Sequence, residues 1–431
     1  MSIRTLSDRA LYTSYKYKKQ FRDSKQFLFA IFGVMKRFVL SIFLWAGVVA
    51  CAFAQAPQPQ KVSWGQLPAW QEGYFEIHSI ATGKGEVLLI VMPDGTTLLT
   101  DAGDTTGNGW ESDPLPDDSR TPGQWIAKYL KDYLGRDYVD YFLLSHFHGD
   151  HFGSTTAQRP GPHGYALSGI TDVAQEIRFG TIVDRGYPSY DYPDAAYMRR
   201  EPMLTYLSFI KYMTENKGQK VECFRIGAKD QFAMKYNPKA YRDFSIRNLA
   251  GNACIWTGKG LKTRPMYESS DDPNLFDENM FSCCQLFSYG GFSYFQGGDL
   301  PGGYWVPEKP TPHKRVYDAQ VADLIGHPVT VVKASHHGTR DSSSPHFLWV
   351  LRPEVVVVQS SNPGHPTDIT VERMLDPLMP GCKDIYVNAQ APAERLGPLW
   401  DKLKGWGHII IRVAPHGSSY EVFVIDPREK R

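Results

Sequence analysis

Residues 143–153 read Leu-Leu-Ser-His-Phe-His-Gly-Asp-His-Phe-Gly, which places His146, His148, Asp150 and His151 within six positions. Imidazole and carboxylate are the groups that hold zinc and similar divalent ions. The apolar run at 141–144 reads as a buried strand, so the four residues fall where a strand passes into a loop. A loop at a strand end can aim alternate side chains at one point, whereas a helix does so only for residues three or four apart. The pattern points to a metal site, and to chemistry in which bound ions activate water.

The same arrangement recurs along the chain. Two strand-like runs, 85–91 and 97–103, flank Pro93-Asp94-Gly95, a hairpin signal that ends on Asp101. A second hairpin, turning at Gly290-Gly291, ends on Gly297-Gly298-Asp299. A β-branched run at 329–332 leads to His336-His337-Gly338-Thr339, and four valines at 355–358 lead to Gly364-His365-Pro366. Between the first motif and Asp299 lie Asp184, at the end of strand-like 177–183, and His163, in Gly161-Pro162-His163-Gly164.

The His-x-His-x-Asp-His motif resembles the metal-binding signature of the metallo-β-lactamase superfamily. That resemblance implies two divalent ions, zinc or alternatively manganese. His146 and His148 would serve the first ion, Asp150 and His151 the second, and Asp299 would bridge them. Two divalent ions about 3.5–4 Å apart repel, and a shared anion reduces that cost. Asp101 is expected to support the metal loops or to form a turn. One of His336 and His337 should complete the second ion's set. The His-x-Gly-Thr register points to His336, leaving His337 for substrate or support. The remaining ligand of the first ion is open between Asp184, His163 and no protein group.

The Gly-Asp, His-His-Gly and Gly-His-Pro elements together are similar to the hydrolase domain of ComEC-type DNA-uptake proteins. The likeness runs from about 77 to about 425, and the segment 171–278 is expected as an insertion. It implies hydrolysis of a phosphodiester in nucleic acid, a nucleotide or a small phosphate ester. Asp150 and His365 would stand at the reacting atoms, His365 donating to a phosphate oxygen, protonating the leaving group or merely capping its loop. A lactam, lactone or thioester hydrolase is the alternative, because a fold does not set the reaction. A non-catalytic metal-binding protein is a third reading.

The elements that must position these residues follow from pattern. Helical spacing marks 121–134, with Pro122 at its start, then 204–215 and 344–351. Strands alternating with helices, each half ending in ligand loops, predict an α/β fold, an αββα sandwich of two mixed sheets with outer helices. At 431 residues one large domain is allowed, and 71–431 is assigned to it, with 55–70 as linker.

A net charge of +1 argues against a strongly basic nucleic-acid binder. No stable protein partner is implied; the expected partner is the phosphoester substrate. Tyrosines 187, 190, 192, 197, 206 and 212 either wall a cleft or anchor the insertion. Lys36-Arg37, a short apolar stretch and Ala52-Phe53-Ala54 make 35–54 a signal peptide for export to the periplasm or the outside. Residues 1–34 then read as an over-called start or a leader, and Cys51 as a possible lipid anchor, the one membrane link besides the signal. Export permits disulfides, and Cys223 with Cys254 is the expected bridge. Adjacent Cys283 and Cys284 point to opposite faces of a strand.

Overall fold

The computed structural model describes residues 57–431 apart from 110–111, 154–155, 157–158, 201–202, 268–276, 304–315, 382–383 and 430–431. The signal peptide, the leader and Cys51 lie outside the described residues. No helix among the described residues is long and apolar enough to cross a membrane.

Two nine-stranded sheets form the frame. The first runs β1 (Gln60–Lys61), β20 (Tyr420–Ile425), β19 (His408–Val413), β2 (Phe75–Ser79), β3 (Leu88–Val91), β4 (Thr97–Thr100), β5 (Tyr138–Leu143), β8 (Arg178–Asp184) and β9 (Lys220–Cys223). The second runs β12 (Thr263–Pro265), β11 (Cys254–Trp256), β10 (Phe244–Gly251), β13 (Cys284–Tyr289), β14 (Phe292–Gln296), β15 (Val331–Lys333), β16 (Val355–Val358), β17 (Asp384–Val387) and β18 (Gly405–Trp406). A small ribbon, β6 (Arg159–Pro160) with β7 (Ala166–Leu167), stands apart from both. Each sheet is mixed. Antiparallel pairs dominate from β19 to β4 and from β12 to β14, and parallel pairs continue through β5, β8 and β9 and through β15 to β18.

Alternation along the strands makes three apolar layers. Between the sheets, Ile77, Leu88, Ile90, Leu98 and Leu143 meet Phe287, Tyr294, Val331, Val355 and Val357. On the outer face of the first sheet, Leu89, Leu99, Phe142 and Ile182 pack on Ile126 and Leu130 of the helix Pro122–Leu134 and on Tyr206 and Phe209 of the helix Met203–Lys217. Outside the second sheet, Val332, Val356 and Val358 pack on the helices Tyr317–Ile325, Pro345–Leu351 and Asp368–Leu375. Helix, sheet, sheet, helix is the αββα arrangement expected from the pattern.

Local chemistry explains the element ends. Thr121 caps the helix Pro122–Leu134 through the Gln124 N–H, proline occupies its first turn, and Gly135 closes it in the left-handed conformation. Ser344 caps Pro345–Leu351 in the same way. Asp94-Gly95 and Gly290-Gly291 form the turns between β3 and β4 and between β13 and β14.

Two segments set apart in the sequence contribute strands to the sandwich. Segment 171–278 adds to both sheets, because β8 pairs with β5 and β10 with β13. The linker at 55–70 is also part of the sandwich: β1 pairs with β20, and Trp64 packs on Tyr129.

Candidate metal centre

The strands that run parallel on both sheets end at one edge, and their following loops converge there. Asp101 follows β4, His146 to His151 follow β5, and Asp299, His337 and His365 follow β14, β15 and β16. Asp150 and His151 sit on one short helical turn, Gly149–Phe152. That turn docks on the segment after β4: Ala102 N–H donates to the His151 carbonyl (2.8 Å), Asp104 N–H to the Gly149 carbonyl (3.1 Å), and Glu86 N–H to the Asp150 carbonyl (2.8 Å). Gly103 has to be glycine, since a Cβ there would collide with the Asp150 carbonyl.

Asp299 is the hub. Its Oδ2 lies 3.1 Å from His151 Nε2, 3.1 Å from His337 Nε2 and 3.8 Å from His146 Nε2. His337 Nε2 also lies 2.9 Å from Asp150 Oδ2. His146 Nε2 and His148 Nδ1 face each other at 3.1 Å, so the two rings aim at one spot beside Asp299. The supporting groups fix the rings. Asp101 Oδ2 sits 2.8 Å from His151 Nδ1, while both Asp101 oxygens accept from Ser145, through its N–H and its hydroxyl (2.7 Å each). His337 Nδ1–H donates to the Gln359 carbonyl (2.8 Å), which turns Nε2 toward Asp150 and Asp299.

The site is built for positive charge. Four buried or half-buried carboxylates gather here, those of Glu86, Asp101, Asp150 and Asp299, and the buried ammonium of Lys333 lies against Glu86 and Asp299. Burial disfavours charge on His151, yet Asp299, Asp101 and Asp150 outweigh it and hold its pKa well above the ordinary value. Burial is likewise outweighed at His337, where Asp299 and then Asp150 push the pKa up to about 10. His146 goes the other way, driven far down by burial and by its neighbour His151. Asp299 Oδ1 and Glu86 Oε2 are buried with no hydrogen-bond partner among the described residues. Imidazole nitrogens converging on a carboxylate, with unsatisfied buried oxygens beside it, are the donor set that divalent ions require.

Glu86 and Lys333 were not singled out from the sequence. Glu86, His151, Asp299 and His337 offer ligand atoms close enough to hold one ion. Glu86 nevertheless belongs to the support. It approaches His337 from the Nδ1 side (3.4 Å), and its Oε1 is taken by Lys333 Nζ at 2.8 Å. Lys333 Nζ also donates to the Gly298 carbonyl (2.6 Å), holding the Asp299 turn. An ion placed against Glu86 would have to sit beside that ammonium. The only sequence signal was a charged residue inside each of two otherwise apolar strand runs.

Several sequence expectations fall differently. His337, not His336, joins the cluster. His336 turns away, with Nδ1 on Asp341 (3.0 Å) and Nε2 on Asn279 (3.2 Å). The cause is backbone: His336 (φ 46°) and His337 (φ 52°) are both left-handed, which rotates the pair out of strand alternation. Asp184 is no free ligand. Its Oδ1 accepts from Gly186 and Tyr187 N–H (2.8 Å each), and its Oδ2 from the hydroxyls of Tyr190 (2.6 Å) and Tyr206 (2.8 Å). His163 stacks on Tyr212, with centroids 4.2 Å apart. These tyrosines anchor the 171–278 segment. Cys223 and Cys254 are free thiols, so the expected bridge is not formed.

A cleft of about 310 Å³ opens beside the cluster, lined by Thr105, Asn108, His148, Gly149, Asp150, Ser361, Asn362 and His365. His365 stacks parallel on His337 (5.7 Å, 4°). Asn362 Nδ2 donates to its Nδ1 at 3.1 Å, which puts the ring proton of neutral His365 on Nε2. Burial, then the neighbouring His337 and His336, push its pKa down to about 4, so the ring is neutral at pH 7.

Comparison with solved structures finds matches of low similarity. The Streptomyces venezuelae diiron β-hydroxylase CmlA is 13% identical with a TM-score of 0.36, over 80% of this chain and 55% of that one. A putative zinc-dependent hydrolase of the metallo-β-lactamase superfamily from Thermotoga maritima is 12% identical with a TM-score of 0.25, over 66% of this chain and 74% of that one. Yeast PDE1 is 12% identical with a TM-score of 0.34, over 83% of this chain and 99% of that one. This chain spans about half the length of CmlA. No family model and no curated protein matches it. At such TM-scores the likeness carries no argument, and the site is read from its own converging strand-end loops.

Proposed function

We propose that this chain is an exported metal-dependent hydrolase with a two-ion site that cleaves phosphodiester bonds in a small or single-stranded substrate. The observation that carries the reading is Asp299 Oδ2, within 3.8 Å of ring nitrogens from three histidines on two strand-end loops, one from each sheet, beside a cleft lined by His148, Asp150 and His365. His146 and His148 would hold one ion, Asp150, His151 and His337 the other, with Asp299 shared. Two such ions supply Lewis acidity and a water activated near neutral pH.

The chain's own residues do the rest. His365 presents a neutral Nε2–H into the cleft, suited to donate to a phosphate oxygen. Asn362 fixes that tautomer, and His337 supports the ring face. Among the described residues none that lines the cleft is Lys or Arg, so substrate charge would be met there by the ions and by neutral donors rather than by a basic track suited to extended duplex. The preference for phosphorus over a carboxyl carbon rests on the ComEC-like motifs. Export rests on the signal sequence at 35–54.

Purified mature protein loaded with zinc or manganese is assayed on bis-p-nitrophenyl phosphate, a thioester and nitrocefin. The expected result is chelator-sensitive cleavage of the phosphodiester, with His365→Ala lowering turnover roughly 100- to 1,000-fold while bound metal is retained. Hydrolysis of the thioester or of nitrocefin without the phosphodiester would transfer the reading to carboxyl derivatives.

A further inference from the structure

Lys333 is the one charged residue in the run 329–334, and its side chain is buried. We propose that it is a positioning residue of the centre: its ammonium holds one oxygen of Asp299 away from the histidine rings and leaves the other to face them. This assignment rests on the two-ion reading above.

Val331 packs between the sheets, and Lys333 follows it by two residues on β15, so strand alternation turns the lysine into the same layer. There it meets Glu86, which precedes β3 in the first sheet, with Nζ 2.8 Å from Oε1. Nζ also donates to the Gly298 carbonyl (2.6 Å) and faces Asp299 Oδ1 at 3.6 Å. Glu86 in turn donates its N–H to the Asp150 carbonyl (2.8 Å). The pair thus spans the two sheets and grips a ligand turn on each. A buried ion pair loses in desolvation most of what its attraction returns, and a packed apolar pair of similar volume would hold this layer as well or better. Stability therefore does not account for the pair.

What the pair does is visible at Asp299. The χ2 torsion of an aspartate is broad and two-fold, so covalent geometry does not choose which oxygen faces the rings. The surroundings choose. Oδ2 lies 3.1 Å from both His151 Nε2 and His337 Nε2. Oδ1 has no hydrogen-bond partner among the described residues, and the ammonium of Lys333 stands on its side. That 3.6 Å separation is an ion-pair distance and too long for a hydrogen bond, so charge is what holds Oδ1. The backbone is pinned at the same turn, because Asp299 N–H donates to Ser282 Oγ (3.0 Å) and the preceding carbonyl is taken by Nζ. The two oxygens are thereby divided between two kinds of positive group, the ammonium on one side and the ligand cluster on the other.

Wild type, Lys333→Met and Glu86→Gln are titrated with Zn2+ by calorimetry and with Co2+ by visible absorption, beside apo melts and steady-state kinetics. Wild type is expected to take two ions per chain. Lys333→Met keeps an unbranched side chain and removes the charge, which frees the Asp299 carboxylate to rotate. Both ions should be retained, since a positive charge has been taken from beside them. The cobalt bands should shift, and kcat should fall roughly 10- to 100-fold with KM within about threefold. A purely structural role would lower the apo melting temperature and leave the bands and kcat as in wild type, and that result overturns the assignment while leaving the two-ion reading standing. Loss of an ion from Lys333→Met also overturns it, because the residue would then build the site rather than orient it. Fewer than two ions in wild type overturn both. If Lys333→Met fails to fold, Glu86→Gln decides. It keeps an acceptor for Nζ but removes the charge that anchors the ammonium, so a smaller shift of the cobalt bands is expected, and a spectrum identical to wild type overturns the assignment.

Discussion

At the scale of single residues, the centre is a competition between desolvation and charge. Asp299 is 1% exposed and surrounded by imidazoles, so its carboxylate is stable only among positive groups. Asp299→Asn removes the shared anion but keeps the shape. We expect bound metal to fall from two ions to one or none, with turnover down at least about 100-fold and a melting temperature changed little relative to the apo parent. Elemental analysis beside a steady-state assay checks this, and full metal content with full activity would reduce Asp299 to a turn residue. The paired histidines separate just as sharply. His337→Ala should lose the second ion, whereas His336→Ala should retain it, since the His336 ring faces Asp341 and Asn279. The reverse order of metal loss in the two variants would restore the register suggested by His-x-Gly-Thr.

At the scale of elements, the site depends on how loops dock at strand ends. Gly103 lets the segment after β4 touch the Gly149–Phe152 turn, and Gly103→Ala pushes a methyl into the Asp150 carbonyl. That overpacking should cost roughly 2–4 kcal/mol and weaken the second ion as well, read by denaturant melts and metal titration. On the far side of the first sheet, His408 begins β19 and accepts Ala81 N–H on Nδ1 (3.0 Å), packed between Trp64 and Tyr129. Burial, reinforced by His78, lowers its pKa to about 3. Between that value and the unfolded value near 6.5, the unfolded chain binds the extra proton, so stability falls as pH falls through this window. Wild type should lose about 2 kcal/mol between pH 7 and pH 5 through this group, and His408→Asn should lose correspondingly less over the same interval. Urea melts at the two pH values would contradict this if both proteins shifted equally. Helices 121–134 and 344–351 were legible because their caps and proline are local. The role of 171–278 was not, because strand pairing with β5 and β13 leaves no mark within the segment.

At the scale of the whole molecule, a buried ion pair ties the two sheets together behind the metal loops. Arg185, just past β8, meets Glu278 Oε1 at 2.7 Å through Nε and Oε2 at 2.7 Å through Nη2. Its guanidinium lies over Phe147 (4.5 Å) and Phe281 (4.7 Å). Glu278 also holds Phe147 N–H, so the pair couples the first sheet's ligand loop to the turn that opens β13. Arg185→Ala leaves a buried carboxylate unpaired and should destabilise by roughly 3–5 kcal/mol. A double-mutant cycle with Glu278→Gln should show strong coupling. A cost under about 1 kcal/mol would mean that the sheets hold their relation through the apolar layer alone.

The sequence by itself determined which ligand-type residues stand at strand ends, because such residues are few in kind and strand alternation is a local signal. It also determined the two hairpins, through Asp94-Gly95 and Gly290-Gly291, and from them the two-sheet sandwich with outer helices. Only the tertiary structure decided between His336 and His337. A left-handed backbone at both positions is held by contacts with Gln359 and Asp341, and neither contact is written in the run that precedes them. It alone saturated Asp184 with four donors and brought Glu86 and Lys333 together from segments far apart in the chain. Whether a polar atom is spent or free depends on every group packed around it, and those groups come from both sheets.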